Sequence, residues 1–147
     1  MSVSFRPLRE SDIDALGQLA LRADPLGWNT QNIRDAFNSK NEILLIELDG
    51  KVIGYSVLLP TLDEAELLEI AIDPAFQGKG YGKALLKESL HLCLQRGIHR
   101  IYLEVRVSNT RARNLYNSFG FVQIGLRKGY YKTQTAREDA LTMAVTL

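Results

Sequence analysis

The stretch Gln77-Gly78-Lys79-Gly80-Tyr81-Gly82 constrains this chain more than any other, because its three alternating glycines separate an apolar run ending in Ile70-Ala71-Ile72 from a helical pattern beginning near Lys83. Glycine lets a backbone approach a ligand closely, and N–H groups ahead of a helix meet an anion with the positive end of the helix dipole. The placement reads as a phosphate cradle between a strand and a helix. The other reading is a tight turn in which glycine serves only the backbone. Spacing excludes two commoner patterns: a dinucleotide fingerprint needs its third glycine where Lys83 or Leu85 stands, and a P-loop read from Gly78 needs Gly-Lys-Ser/Thr starting at Lys83.

The helix after this loop carries Leu85, Leu86, Ser89, Leu90, Leu92, Cys93 and Leu94 as a broad apolar stripe, and Arg96-Gly97 closes it with a cation and a glycine. Residues 100–107 then alternate, with Ile101, Leu103, Val105 and Val107 on one face and Tyr102, Glu104 and Arg106 on the other. A right-handed crossover places this strand parallel to the one at residues 66–72.

Upstream, residues 3–6 suggest a short strand, Ser11 with Asp14 a helix start, and Asn29 or Thr30 the cap of a second helix through Phe37. Residues 42–48 and 51–59 are strand-like and joined by Asp49-Gly50, a type I′ hairpin turn. Downstream, Ser108 or Asn109 caps a short helix with Gly120 just past its end. Residues 121–127 and 140–145 then form a last antiparallel pair around a long polar loop. The expected fold is α/β (α+β), a mixed, mostly antiparallel sheet with helices on both faces in the order β-α-α-β-β-β-α-β-α-β-β, one domain over residues 1–147.

With 46% hydrophobic and 24% charged residues and a net charge of +1, no nucleic-acid partner is indicated. The basic concentration from Arg106 to Arg113 suits phosphates of any kind. One cysteine, Cys93, excludes an internal disulfide framework and agrees with a reducing compartment, so cytoplasm is expected. No apolar run approaches the roughly 18 to 20 residues a bilayer requires, and no secretory leader is expected. His91 and His99 lie apart and, with a single cysteine, give no metal-ligand spacing, so no metal is expected.

In this order of elements, ligands are expected beyond the C-terminal ends of the parallel strands, where the glycine loop, Glu104, Asn109 and Tyr116 converge. Gln77, Gly80 and Gly82 match the Arg/Gln-x-x-Gly-x-Gly/Ala loop of the GCN5-related N-acetyltransferases. Asn109, Ala112, Leu115, Tyr116, Gly120 and Phe121 match that family's second motif, N-x-x-A-x-x-L-Y-x-x-x-G-F. Arg127-x-x-Tyr130-Tyr131, Arg137-Glu138-Asp139-Ala140 and Met143, with 62–65 and 103–106, resemble the family's protein N-terminal acetyltransferases, in particular the bacterial ribosomal-protein-alanine group. One departure is Gly27-Trp28, where that group usually carries Pro-Trp.

The resemblance implies transfer of an acetyl group from acetyl-CoA to the α-amine of a ribosomal protein's N-terminal alanine, directly within a ternary complex. It assigns the pyrophosphate to the amides of Gly78, Lys79, Gly80, Tyr81 and Gly82 after Gln77. It gives the pantetheine arm to the backbone of Ile70, Ala71 and Ile72, and makes a strand N–H the group that polarises the thioester carbonyl. Glu104 becomes the general base through a water, and Tyr116 the general acid near the coenzyme sulfur.

Without the family, Glu104 reads as a solvated strand glutamate, Tyr116 as a packing aromatic and Asn109 as an N-cap rather than a coenzyme contact. Asp63, Glu64, Glu66 and Glu69 form an acidic run that suits a basic peptide, Glu69 above all, or is a solvated face. Tyr130 and Tyr131 either hold the peptide or close the core. Cys93 reads as a core residue. An acetyltransferase for lysine or a small amine, and a non-catalytic acyl-CoA-binding module, are the competing readings.

Overall fold

The structure, a computed structural model, describes residues 2–132 and 136–147. Among these residues seven strands form one sheet in the order β1-β2-β3-β4-β5-β7-β6. They are β1 (Val3–Pro7), β2 (Glu42–Leu48), β3 (Lys51–Thr61), β4 (Glu64–Ile72), β5 (Arg100–Arg106), β6 (Val122–Lys132) and β7 (Arg137–Thr146). The helices are α1 (Ile13–Ala23), α2 (Thr30–Phe37), α3 (Tyr81–Gln95) and α4 (Thr110–Ser118). Among the described residues only β4 and β5 pair in parallel, as a strand–helix–strand crossover requires. The expected order of elements is met, with short 3-10 turns at Glu10–Asp12 and Pro74–Phe76 added. No described helix is long and apolar enough to cross a membrane.

Local signals behave as physical chemistry dictates. Asp49 and Gly50 both adopt positive φ, 52° and 84°, the geometry of a type I′ turn between β2 and β3. Asn29 caps α2 by accepting from the Asn32 N–H at 2.9 Å. The start of α1 departs from the Ser11–Asp14 reading: Asp12 accepts from the Arg9 N–H at 2.8 Å and from Arg6 Nη1 at 2.8 Å, so the chain turns one residue later around a carboxylate already tied to β1. The last two strands run longer than expected, because β6–β7 pairing continues to Lys132↔Arg137 and takes in part of the supposed polar loop. Residues 133–135 of that loop lie outside the described chain.

Helices cover both faces of the sheet. Tyr55 and Val57 of β3 pack with Ile13, Leu16 and Ile33 of α1 and α2. On the other face, Leu86, Leu90 and Cys93 of α3 and Tyr116 of α4 pack on Ile101, Leu103 and Val105 of β5. There Ser56 and Ser89 share a buried hydrogen bond of 2.8 Å, so these two hydroxyls satisfy each other. Gly17 lets α2 cross α1 closely, since a Cβ there would run into Thr30.

Candidate active site

The site originates in a disagreement between two ladders. β4 follows β5 for only four register pairs, Glu64↔Arg100 to Leu67↔Leu103, while it stays paired with β3 as far as Ile72↔Gly54. In the β3 ladder Leu58 opposes Leu67 and Val57 opposes Glu69, so Leu68 is an extra residue. A bulge of this kind bends its strand, and past it the β5 side of β4 has no ladder partner. The resulting cleft has a volume of about 760 Å³ and is lined by 68–72 of β4, the glycine loop, β5, α4, Tyr131 and the segment around Asp24 and Trp28.

At one end stands the start of α3. The helix begins at Tyr81, two residues earlier than the glycine pattern suggested, so Gly82 lies within its first turn. Gly80 is the N-cap with φ 87° and offers no side-chain cap, which leaves the first-turn N–H groups without an intrahelical partner. Gly78 also has positive φ, 75°, and a Cβ on Gly80 would meet nothing within 4 Å. The backbone is thus bare toward the cleft. Gln77 does not line it passively: its Nε2 donates to the Ile72 carbonyl at 2.9 Å and its Oε1 accepts from Arg111 Nη1 at 3.0 Å. Arg111 reaches over Gly78, bringing a cation from α4 to the loop. It was not among the expected site residues, although the basic run from Arg106 to Arg113 was its signal. Lys79 turns aside and lies over the Phe76 ring at 5.9 Å, outside the residues that line the cleft.

At the other end, Glu104, Glu69, Tyr116, Arg106 and Tyr131 line the same cavity. Glu104 Oε1 accepts from Arg127 Nη1 at 2.7 Å, and Oε2 is buried without a hydrogen-bond partner among the described residues. Tyr116 is 6% exposed and packs against Phe121 with ring centroids 5.7 Å apart. Burial, then the Glu69 and Tyr131 charges, raise its phenol above the ordinary value, so it stays protonated. Asn109 accepts from the Ala112 N–H at 3.1 Å as the N-cap of α4 and also lines the cleft.

Glu69 is not part of a solvated acidic face. Its Oε1 accepts from the Ile70 N–H at 3.2 Å and its Oε2 from the Tyr55 hydroxyl at 3.4 Å. Burial pushes its carboxyl up to about 7. The two tyrosines divide: Tyr131 lines the cleft beneath the Arg106 guanidinium at 4.4 Å, with its phenol pushed up to about 12 by burial. Tyr130 is 46% exposed, meets Tyr131 edge-on at 5.0 Å and carries Arg127 over its ring at 4.3 Å. Asp24, also unforeseen as a site residue, and Trp28, from the Gly27-Trp28 departure noted in the sequence, close the cleft from the α1–α2 connection. Cys93 is buried in the core, with its thiol raised to about 11 by burial, and does not line the cleft.

A bare helix N-terminus with an overhanging arginine suits a phosphate-bearing ligand, and carboxylates with a protonated phenol at the far end suit proton transfer. Comparison with known proteins agrees. The sequence profile of the acetyltransferase (GNAT) family matches residues 13–121. The [ribosomal protein bS18]-alanine N-acetyltransferase of Escherichia coli K12 is 36% identical over 142 residues, covering 95% of each chain. Its counterpart in Haemophilus ducreyi is 37% identical over 139 residues, covering 94% of this chain and 96% of its own. The crystal structure of the ribosomal-protein-S18-alanine N-acetyltransferase from Escherichia coli superposes with a TM-score of 0.93 at 32% identity, covering 99% of this chain and 94% of that one. The chain therefore belongs to the GNAT family of acetyltransferases.

Proposed function

We propose that the protein transfers an acetyl group from acetyl-CoA to the α-amine of an N-terminal alanine on a ribosomal protein, in the cytoplasm, with residues 1–147 acting as one domain. The observation that carries this reading is the single cleft joining the bare α3 N-terminus to Glu104, Glu69 and Tyr116. It is supported by relatives that are named for this activity and match nearly the whole chain.

The residues suit acetyl-CoA. The amides of 78–82 and the Arg111 guanidinium would receive the pyrophosphate, and the unladdered edge formed by Ile70, Ala71 and Ile72 would hold the pantetheine arm beside Asn109. A strand N–H would polarise the thioester carbonyl. Glu69 Oε1 accepts from the Ile70 N–H, so this particular amide would serve the thioester only with that carboxylate turned away.

Glu104 acts as general base through a water at Oε2, the oxygen that Arg127 leaves free. Tyr116 keeps its proton at neutral pH and gives it to the departing thiolate. Glu69 and Tyr131 face the acceptor inside the cleft, and Tyr130 contributes at its rim. An α-amine is the easier acceptor: its pKa of about 8, against about 10.4 for lysine, saves about 3 kcal/mol of deprotonation work. Mass spectrometry of ribosomal proteins incubated with enzyme and acetyl-CoA tests the reading. Acetylation at an N-terminal alanine supports it, and modification confined to lysine side chains overturns it.

A further inference from the structure

An acceptor ammonium must lose two protons to become an amide, one before its nitrogen can attack and one as the new bond forms. Glu104 has one oxygen free for this work, because Arg127 holds the other at 2.7 Å. Two further carboxylates line the cleft; Asp24 is half-exposed and 3.8 Å from Arg106, and Glu69 is the buried one that the assigned roles leave without chemistry. Glu69 stands one residue past the bulge, where β4 leaves β5, and its oxygens rest on the Ile70 N–H and the Tyr55 hydroxyl. Both bonds are long, 3.2 and 3.4 Å.

We propose that Glu69 is a second proton acceptor in the transfer, taking the first proton from the bound ammonium while Glu104 takes the proton shed as the nitrogen attacks. The assignment rests on the acetyltransferase reading above. The ammonium gives one proton to the Glu69 carboxylate and becomes an amine. Its lone pair forms the N–C bond to the thioester carbonyl carbon, and the C–S bond breaks with its electrons on sulfur. The second nitrogen proton passes through water to Glu104, the thiolate takes the Tyr116 proton, and the Glu104 proton restores Tyr116. Glu69 releases its proton to solvent. Ammonium and thioester thus yield amide, thiol and one proton.

The surroundings agree with this task. Tyr55 from β3, Asp24 at the end of α1, Arg106 from β5, Tyr116 from α4 and Tyr131 from β6 are the titratable and charged groups that act on Glu69 or feel its charge. Burial is the largest influence and sets its carboxyl at about 7, close to the operating pH at which a proton acceptor is most effective.

The test is the pH dependence of kcat/KM for wild type, Glu69→Gln and Glu69→Asp, using whichever acceptor wild type acetylates among an alanine-initiated peptide, a lysine-containing peptide and a polyamine. Failure on the first of these tells against the ribosomal-protein reading and leaves the Glu69 comparison intact. Wild type should show an acidic limb near the Glu69 value of about 7. Glu69→Gln should lose that limb, following only the acceptor's own ionisation. With an α-amine acceptor it should run about ten-fold slower than wild type near pH 6 and draw level near pH 9. Glu69→Asp should restore part of the limb. A loss by the same factor at every pH, or an unchanged profile, overturns the proposal. Carbon-13 NMR of glutamate side-chain carboxyls in wild type gives an independent check: a resonance titrating near 7 is required, and its absence overturns the proposal as well.

Discussion

Arg127 Nη1 lies 2.7 Å from one carboxylate oxygen of Glu104, while the other oxygen of Glu104 is buried and has no partner among the described residues. The contact spans a strand. Arg127 of β6 and Arg106 of β5 both oppose Ala140 of β7, and Gly125 and Glu104 both oppose Thr142. Ala140 and Thr142 on β7 let the guanidinium cross above the strand to one oxygen of Glu104. Glu104→Gln should therefore keep coenzyme binding and the fold yet lower single-turnover acetyl transfer by roughly 10²- to 10⁴-fold, the usual worth of a general base. Wild-type transfer in this variant would remove Glu104 as base.

Tyr116→Phe keeps the ring against Phe121, so fold and acetyl-CoA affinity should persist. Only the hydroxyl is lost. Single-turnover transfer under saturating acetyl-CoA should fall by roughly 10²-fold or more. A rise in KM with unchanged kcat would instead assign Tyr116 to binding.

Gly80→Val places a side chain in the open space ahead of α3 at a residue whose φ is 87°. A left-handed conformation costs an L-residue about 1–2 kcal/mol, so the free protein should melt earlier. Acetyl-CoA at about 100 times its Kd stabilises a folded protein by about 2.7 kcal/mol, and this shift in Tm should vanish in the variant. A full shift in folded Gly80→Val would show that the phosphates lie elsewhere.

Glu69 should also be visible in stability. Its folded-state carboxyl is raised from 4.5 to about 7, so over that window the folded protein holds a proton that the unfolded chain has released. Stability then falls as pH rises from about 4.5 to about 7 and levels off above it. Glu69→Gln removes the penalty and should be about 1–3 kcal/mol more stable than wild type at about pH 8, with little difference at about pH 4. Urea denaturation at the two pH values measures this. Equal stability at both would mean that Glu69 is solvated in the folded protein.

Much of this architecture was legible in the residues themselves. Asp49-Gly50 demanded a hairpin, the glycine loop demanded a strand-to-helix turn, and the alternation of residues 100–107 put Glu104 on the polar face of its strand. Each is a local signal, read over a few neighbouring residues with a period of two or 3.6. Longer pairing was less legible: β6 and β7 extend past their apolar runs because the ladder to Lys132↔Arg137 rests on backbone bonds that carry no hydropathy pattern.

The position of Glu69 was decided by tertiary structure alone. Strict alternation along β4 sets Glu69 on the face opposite Glu66, with Leu67. The extra residue Leu68 reverses the alternation: Ala65 and Leu67 pack under α3, Leu68 and Ala71 pack toward α1 and α2, and Glu69 joins Tyr55 on that second face. A bulge exists only as a mismatch between two paired strands, so no pattern within β4 announces it, and one inserted residue turns every later side chain to the other side. The same bend parts β4 from β5 and opens the cleft. Sequence alone therefore determined which elements form and which residues the motifs supply, whereas the register between strands decided that Glu69, Glu104 and Tyr116 line one cavity.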